Sequence, residues 1–183
     1  MPNLFSPQDL VKEAKKYYGR KNYLQAAELY RKAAESFSAR GDEYEAAEQM
    51  NNCSVAFLQA GNPQAALDAA KGTDLIFKAS GDKVHQAMAL ANQAAALEDL
   101  HRDPEALGLY QDSAALLKAT NEREMRSQIM KKISTIQIRS GNKMDATVSM
   151  YGALQDKEKL TGKEKSLKSL LDTLFGYMGI KSK

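Results

Sequence analysis

The chain of 183 residues has no tryptophan, only five phenylalanines and one cysteine. Cys53, standing alone, excludes an internal disulfide framework and a zinc site built from several cysteines. The shortage of aromatic side chains, together with many alanines, favours closely packed helices over a β-sandwich. No apolar run approaches the length of a membrane span, and no early segment joins a basic start to an apolar core. We therefore expect a soluble protein of the cytoplasm.

Glycine and proline are also scarce, at 11 and 4 residues, which excludes a fibrous or linker-rich protein. The formal net charge is only +3. This excess lies after residue 160, where five lysines face two acidic residues: Lys163, Lys165, Lys168, Lys181 and Lys183 against Glu164 and Asp172. Because the charge of the preceding residues is balanced, we expect no nucleic acid among the partners.

The sequence repeats itself every forty residues. Two columns of small residues are Ala14, Ser54, Ala94, Ser134 and Ala26, Ala66, Ala106, Ala146. A column of large apolar residues is Leu10, Met50, Leu90, Met130, and another is Tyr17, Phe57, Leu97, with Gln137 as its exception. Small facing residues let two helices approach closely, while large neighbours fill the remaining space. The period predicts four stacked helical hairpins that share one core.

The predicted domain of four repeats spans residues 1–160, and residues 161–183 are predicted to form a capping helix and a basic tail. The repeats cover about 1–40, 41–80, 81–120 and 121–160. The predicted helices are 7–20, 23–39, 42–60, 63–79, 82–100, 104–119, 122–140, 143–159 and, for the terminal segment, 163–178.

The positions of the small residues in each predicted helical hairpin resemble those of the tetratricopeptide repeat (TPR) family. Ala14, Asn22 and Ala26 stand as in the family's stretch around the inter-helix turn, and the segment from Ala26 to Phe37 is similar to repeats of the SNAP type. The resemblance implies an all-α, right-handed solenoid of four hairpins closed by a C-terminal capping helix. It also implies a concave surface lined by the first helix of each pair.

The resemblance implies that this concave surface binds a peptide or a partner helix, which makes the protein a non-catalytic scaffold or adaptor. The alternative function is that of a SNAP-like adaptor in membrane-trafficking assembly. The predicted partner-binding residues are Lys15, Tyr18, Asn51, Asn52, Val55, Asn92 and Lys131. The two-carboxylate clamp of some relatives is not expected, because only one of its five positions matches: Val11, Lys15, Asn52, Ala91 and Ala95, of which Asn52 is the match.

No motif in the sequence indicates an enzyme, a cofactor or a metal site. Cys53 lies among apolar neighbours and is interpreted as a core residue. His85 and His101 are 16 residues apart and lack a second ligand at helical spacing. The sequence leaves the oligomeric state open.

The terminal segment is a basic amphipathic helix. Its apolar stripe consists of Leu167, Leu170, Leu171, Leu174 and Met178. We expect this stripe to cover the open end of the fourth hairpin, around Val148 and Leu154. The alternatives are docking to a partner's groove, self-association, and association with an acidic membrane surface.

Overall fold

The computed structural model describes residues 6–177, and these residues form ten α-helices without a strand. The helices are α1 (Pro7–Gly19), α2 (Tyr23–Ser38), α3 (Glu43–Gln59), α4 (Pro63–Ala70), α5 (Thr73–Ala79), α6 (Lys83–Asp99), α7 (Asp103–Ala119), α8 (Arg123–Arg139), α9 (Lys143–Asp156) and α10 (Gly162–Tyr177). The prediction of an all-α fold is confirmed over these residues. The first five residues, Met178 and the predicted basic tail with Lys181 and Lys183 lie outside them.

Local sequence signals explain where the helices begin and end. The Ser6 hydroxyl accepts a hydrogen bond from the Asp9 amide (3.1 Å), and the Asp9 carboxylate accepts one from the Ser6 amide (3.1 Å), so a capping box starts α1. The junctions between predicted repeats contain Gly41, Gly81 and Asn121, with φ of 80°, 78° and 60°. These residue types tolerate the left-handed backbone that ends a helix.

One predicted helix, 63–79, is wrong as a single element. It divides into α4 and α5 at Gly72, whose φ is 83°. The Thr73 hydroxyl donates to the carbonyl of Ala70 (2.8 Å) and to Asn51 Oδ1 (3.1 Å). Two features stabilise the break between α4 and α5. Gly72 adopts the left-handed backbone without steric cost, and the Thr73 hydroxyl has buried hydrogen-bond acceptors.

The described residues fall into two compact units, one up to Leu116 and one from Leu117. In the first unit, α2 packs on both α1 and α3, and α6 packs on α4 and α5. Ala14, Ala26 and Ala94 of the small columns are fully buried, and Ala14 and Ala26 belong to one core cluster. Their burial between packed helices is what the predicted role of small residues requires.

In the second unit, serines join α8 to α9. Ser127 donates to the carbonyl of Ala153 (2.7 Å), and Ser134 donates to the carbonyl of Ala146 (2.8 Å). Gln137, the polar exception in an apolar column, is buried and its Oε1 accepts from the hydroxyl of Ser149 (2.8 Å). The hydroxyls of these three serines thus have acceptors within the contact, as burial favours.

The helix α10 docks on α9 through part of the expected stripe, Leu171, together with Phe175, which the stripe did not include. Leu171 and Phe175 are buried and form a cluster with Leu154. In contrast, Leu170 remains 66% exposed, and Val148 is not covered either. Phe175 lies on the side of α10 that contacts α9. The contact therefore uses only one edge of the wide apolar face of α10.

Candidate partner-binding surface

The seven predicted partner-binding residues come from the first helices α1, α3, α6 and α8. They differ in how much surface they offer. Lys15 is exposed, Asn51 is buried, and the other five are partly buried: Tyr18, Asn52, Val55, Asn92 and Lys131. Six of the seven therefore present some surface to a ligand.

The neighbouring asparagines of α3 have different surroundings. Asn51 is 6% exposed and accepts from Thr73 Oγ1, which fastens α3 to the start of α5. Asn52 Nδ2 donates to Gln49 Oε1 (3.2 Å) within its own helix. A bond within one helical turn leaves the Asn52 carbonyl oxygen available as an acceptor. Asn51 therefore supports the fold, while Asn52 can meet a ligand.

Two other predicted residues of the first unit, Tyr18 and Asn92, lie on helices that are joined by ring and hydrogen-bond contacts. The rings of Tyr18 and Tyr23 meet edge to face with 5.2 Å between centroids. Next to Asn92, Gln93 Nε2 donates to Asp74 Oδ1 (2.8 Å), which joins α6 to α5. These contacts join α1 to α2 and α6 to α5 next to the predicted binding residues.

Lys131 belongs to the second unit and has an ionic partner. Its Nζ lies 3.1 Å from Glu164 Oε1 at the start of α10, and Lys157 Nζ lies 2.9 Å from Glu164 Oε2. These two cations, with hydrogen bonds from Thr161, lower the pKa of Glu164 to about 2. Lys131 thus helps to hold the start of α10.

A cleft of about 350 Å³ opens between α2, α3 and the break that precedes α5. Its lining includes Glu35, Glu43, Met50, Lys71 and Thr73. Sequence reasoning missed this cleft because it treated 63–79 as one helix. The available signal was Gly72, since a glycine inside a helical pattern weakens that pattern.

A tyrosine, an aspartate and a histidine meet where α3 approaches α6. Tyr44 Oη donates to Asp82 Oδ2 (2.8 Å), and His85 Nδ1 lies 2.8 Å from the same oxygen. Asp82 Oδ1 also accepts from the amide of His85 (2.9 Å), and that bond chiefly lowers the pKa of Asp82. Burial and the bond to Asp82 raise the pKa of Tyr44 to about 12. Asp82 is the N-terminal cap of α6, and Tyr44 and the His85 ring bond its second carboxylate oxygen.

Cys53 lies in the core of the first unit. It is fully buried beside Ala14 and Ala56, and burial raises the pKa of its thiol to about 12. A protonated, enclosed thiol behaves as a small apolar side chain. Among residues 6–177, no three His, Cys, Asp or Glu side chains lie together as a metal site would require.

The sequence model of the soluble NSF attachment protein family, SNAP, matches residues 7–165. This span is well over half of the chain and includes all seven predicted partner-binding residues. The chain belongs to the SNAP family. The resemblance to SNAP-type repeats is thereby confirmed. A search of the curated proteins finds no match.

The SNAP match begins at the first residue of α1 and stops four residues into α10. The exposed leucines of α10 therefore lie outside the matched part of the chain. Across the described residues, none of the helices is both long and apolar enough to pass through a membrane.

Proposed function

We propose that this SNAP-family protein is a non-catalytic adaptor that attaches NSF to a protein partner held on its first helices. The family match over residues 7–165 carries the proposal, because the family's name describes attachment to NSF. A partner helix or an extended segment is the ligand that suits the faces of α1, α3 and α6 in the first unit, which bear amide, aromatic and cationic side chains.

The first-helix surface supports this function through Asn52 and Asn92. Both side chains are partly buried, so a ligand reaches them without unfolding the helices. An amide offers a donor and an acceptor together, which matches the backbone of a bound segment. Lys15 adds an exposed cation on α1.

Binding of NSF tests the adaptor role directly. The full chain and purified NSF from the same source are mixed and followed by sedimentation velocity. A complex that sediments faster than either component is expected. If the two proteins sediment independently at concentrations of about 10 µM, the adaptor role is excluded at useful affinity.

The double variant Asn52→Ala with Asn92→Ala tests the surface. Loss of two hydrogen bonds is expected to weaken partner binding about tenfold or more, with the melting temperature unchanged. Asn51→Ala is the matched control, because it removes the buried bond to Thr73 and should lower the melting temperature. If the double variant binds normally, the ligand lies elsewhere.

A further inference from the structure

The apolar side chains of α10 that do not pack on α9 form a separate exposed face. Leu170 and Leu174 are 66% and 42% exposed, and Tyr177 at the end of the helix is 89% exposed. This leucine face consists of Leu167, Leu170, Leu174 and Tyr177, which follow one another at intervals of three or four residues. Such spacing keeps the side chains on one side of a helix over about 15 Å. A contiguous exposed apolar face marks an interaction surface.

The apolar surface continues from α10 onto α8 and α9. A cleft of about 390 Å³ opens between these three helices, and its lining includes Leu167, Met150 and Ile138. Ile138, near the end of α8, is 60% exposed. Among the described residues that line the cleft, Lys143 at the start of α9 is the charged one. The apolar surface of this unit is therefore bordered here by a cation and not by a carboxylate.

The second unit carries an excess of positive charge. Residues 117–177 contain twelve lysines and arginines against seven acidic residues, which gives a net charge of +5, whereas residues 1–116 carry a net charge of −4. The small net charge of the whole chain hides this difference. A unit with a net positive charge attracts an anionic partner over roughly 10 Å at 0.1 M salt.

Several cations close to the leucine face keep their charge. Lys163 falls in line with the face by helical spacing, one turn before its first leucine. Within residues 6–177, the ammonium groups of Lys163 and Lys143 have no acidic partner. Glu164 is shared by Lys131 and Lys157, so these three side chains together also retain one positive charge.

The carboxylates of α10 are engaged away from the leucine face. Glu164 lies between its two lysines, and Asp172 pairs with Lys168 (3.0 Å). Ser166 and Thr173, which are uncharged, flank the leucine face on its other side by helical spacing. An anionic partner that approaches this face therefore meets no carboxylate of α10.

An anionic lipid surface suits both the apolar and the cationic side chains. Aliphatic side chains of an interfacial helix enter the boundary between headgroups and acyl chains, while lysines extend to the level of the phosphates. A tyrosine such as Tyr177 favours the same interface, because its ring is amphipathic. A second copy of this chain suits the face poorly, since both surfaces would bring positive charge to the contact.

We propose that the second unit binds the surface of an anionic lipid bilayer. Leu167, Leu170 and Leu174 of α10 insert below the headgroups, and Lys163 and Lys143 lie beside the lipid phosphates. The three leucines lie beyond residues 7–165, which match the family. The proposal does not rest on NSF attachment, and a vesicle assay that contains only this chain tests it separately.

Co-sedimentation of the full chain with lipid vesicles tests the binding. Vesicles of phosphatidylcholine with about 30% phosphatidylserine are expected to bind the protein about tenfold more tightly than phosphatidylcholine alone, and about 0.5 M salt should remove most of that difference. A wild-type chain that does not sediment with the anionic vesicles overturns the proposal. Equal binding to both kinds of vesicle overturns it as well, because the cations would then play no part.

Leu170→Ser with Leu174→Ser tests the apolar face without adding charge. Because both leucines are exposed, helicity and melting temperature should stay unchanged, while vesicle binding should fall about tenfold or more. Lys143→Gln with Lys163→Gln should weaken binding to anionic vesicles alone. The control Leu24→Ser, at a leucine of α2 that is 56% exposed, should bind like the wild type. Binding that survives in the double serine variant would show that α10 does not carry it.

Fluorescence tests the insertion of α10, because the chain has no tryptophan of its own. The emission of a Leu174→Trp chain should shift to shorter wavelength when anionic vesicles are added, while that of the control Leu24→Trp should not. An equal shift in both chains contradicts docking through α10. A shift of Leu174→Trp that follows protein concentration and is unaffected by vesicles assigns the face to a second copy, and the proposal is then wrong.

Discussion

Two buried phenylalanines show how the core of the first unit differs from the docking of the last helix. Phe77 is fully buried among Ala47 and Tyr44 of α3 and Ala89 of α6. Phe175 is also buried, at 2% exposure, but its cluster joins α10 only to α9 and the loop residue Leu160. Equal burial therefore has unequal consequences, because one side chain joins three helices and the other fastens one terminal helix.

Replacing each phenylalanine with alanine should separate these two kinds of core. Phe77→Ala is expected to lower the free energy of unfolding by about 3–5 kcal/mol, because a large cavity opens between several helices. Phe175→Ala is expected to lower the melting temperature much less and to raise hydrogen exchange in residues 162–177 alone. Thermal melts and exchange mass spectrometry measure both. Equal losses of stability would contradict the comparison.

The second prediction exchanges residue size between α1 and α10. Ala14→Leu places a leucine in a fully buried position of the small column, so overpacking should cost about 1–3 kcal/mol. Leu174→Ala is the matched reverse change on α10, where 42% exposure should limit the cost to about 0.5 kcal/mol. Chemical denaturation measures the free energy of unfolding of each variant. A tolerated Ala14→Leu would show that close helix approach is not required in α1.

The sequence period sufficed to predict most of the helices, because the columns report which residues face a neighbour. It failed at Gly72, where a single glycine and the buried acceptors of Thr73 outweigh the helical pattern. It also predicted only part of the docked face of α10, since Leu171 is buried against Leu154 while Leu170 of the same predicted stripe is exposed. The apolar face of α10 is wider than its contact with α9, so the sequence pattern does not show which edge of that face makes the contact. Phe175 was not in the predicted stripe.

The candidate surface was less predictable than the fold. The period places Asn51 and Asn52 side by side, but only the structure shows that Asn51 is occupied by Thr73. Likewise, nothing in the pattern around Lys131 indicates its ion pair with Glu164, thirty-three residues later. Such pairings depend on how separate helices meet, and a one-dimensional pattern records only the face of each helix.

The smallest expected effect concerns acid and the docking of α10. The Lys157 hydrogen bond, followed by those from Thr161 and Lys131, holds the pKa of Glu164 at about 2, below its ordinary 4.5. A lowered carboxyl pKa contributes stability above pH 4.5, and that contribution is lost as the pH falls toward 2. We therefore expect α10 to loosen across this range, seen as a change in the NMR signals of Tyr151, whose ring lies 4.8 Å from that of Phe175.

Glu164→Gln isolates this carboxylate from the others that titrate in the same range. The glutamine variant should show looser docking already at pH 6, and its Tyr151 signals should change less between pH 5 and pH 2.5. Glu105→Gln is the matched control, since Glu105 pairs with Arg102 on an exposed surface and also has a lowered pKa. It should leave the Tyr151 signals as in the wild type.

Because ion pairs open to solvent are weak and screened by salt, the difference between the two variants should shrink as salt is added. A response of Tyr151 to acid that is the same in all three proteins would assign the loosening to other groups, and Glu164 would then contribute nothing measurable to the docking of α10.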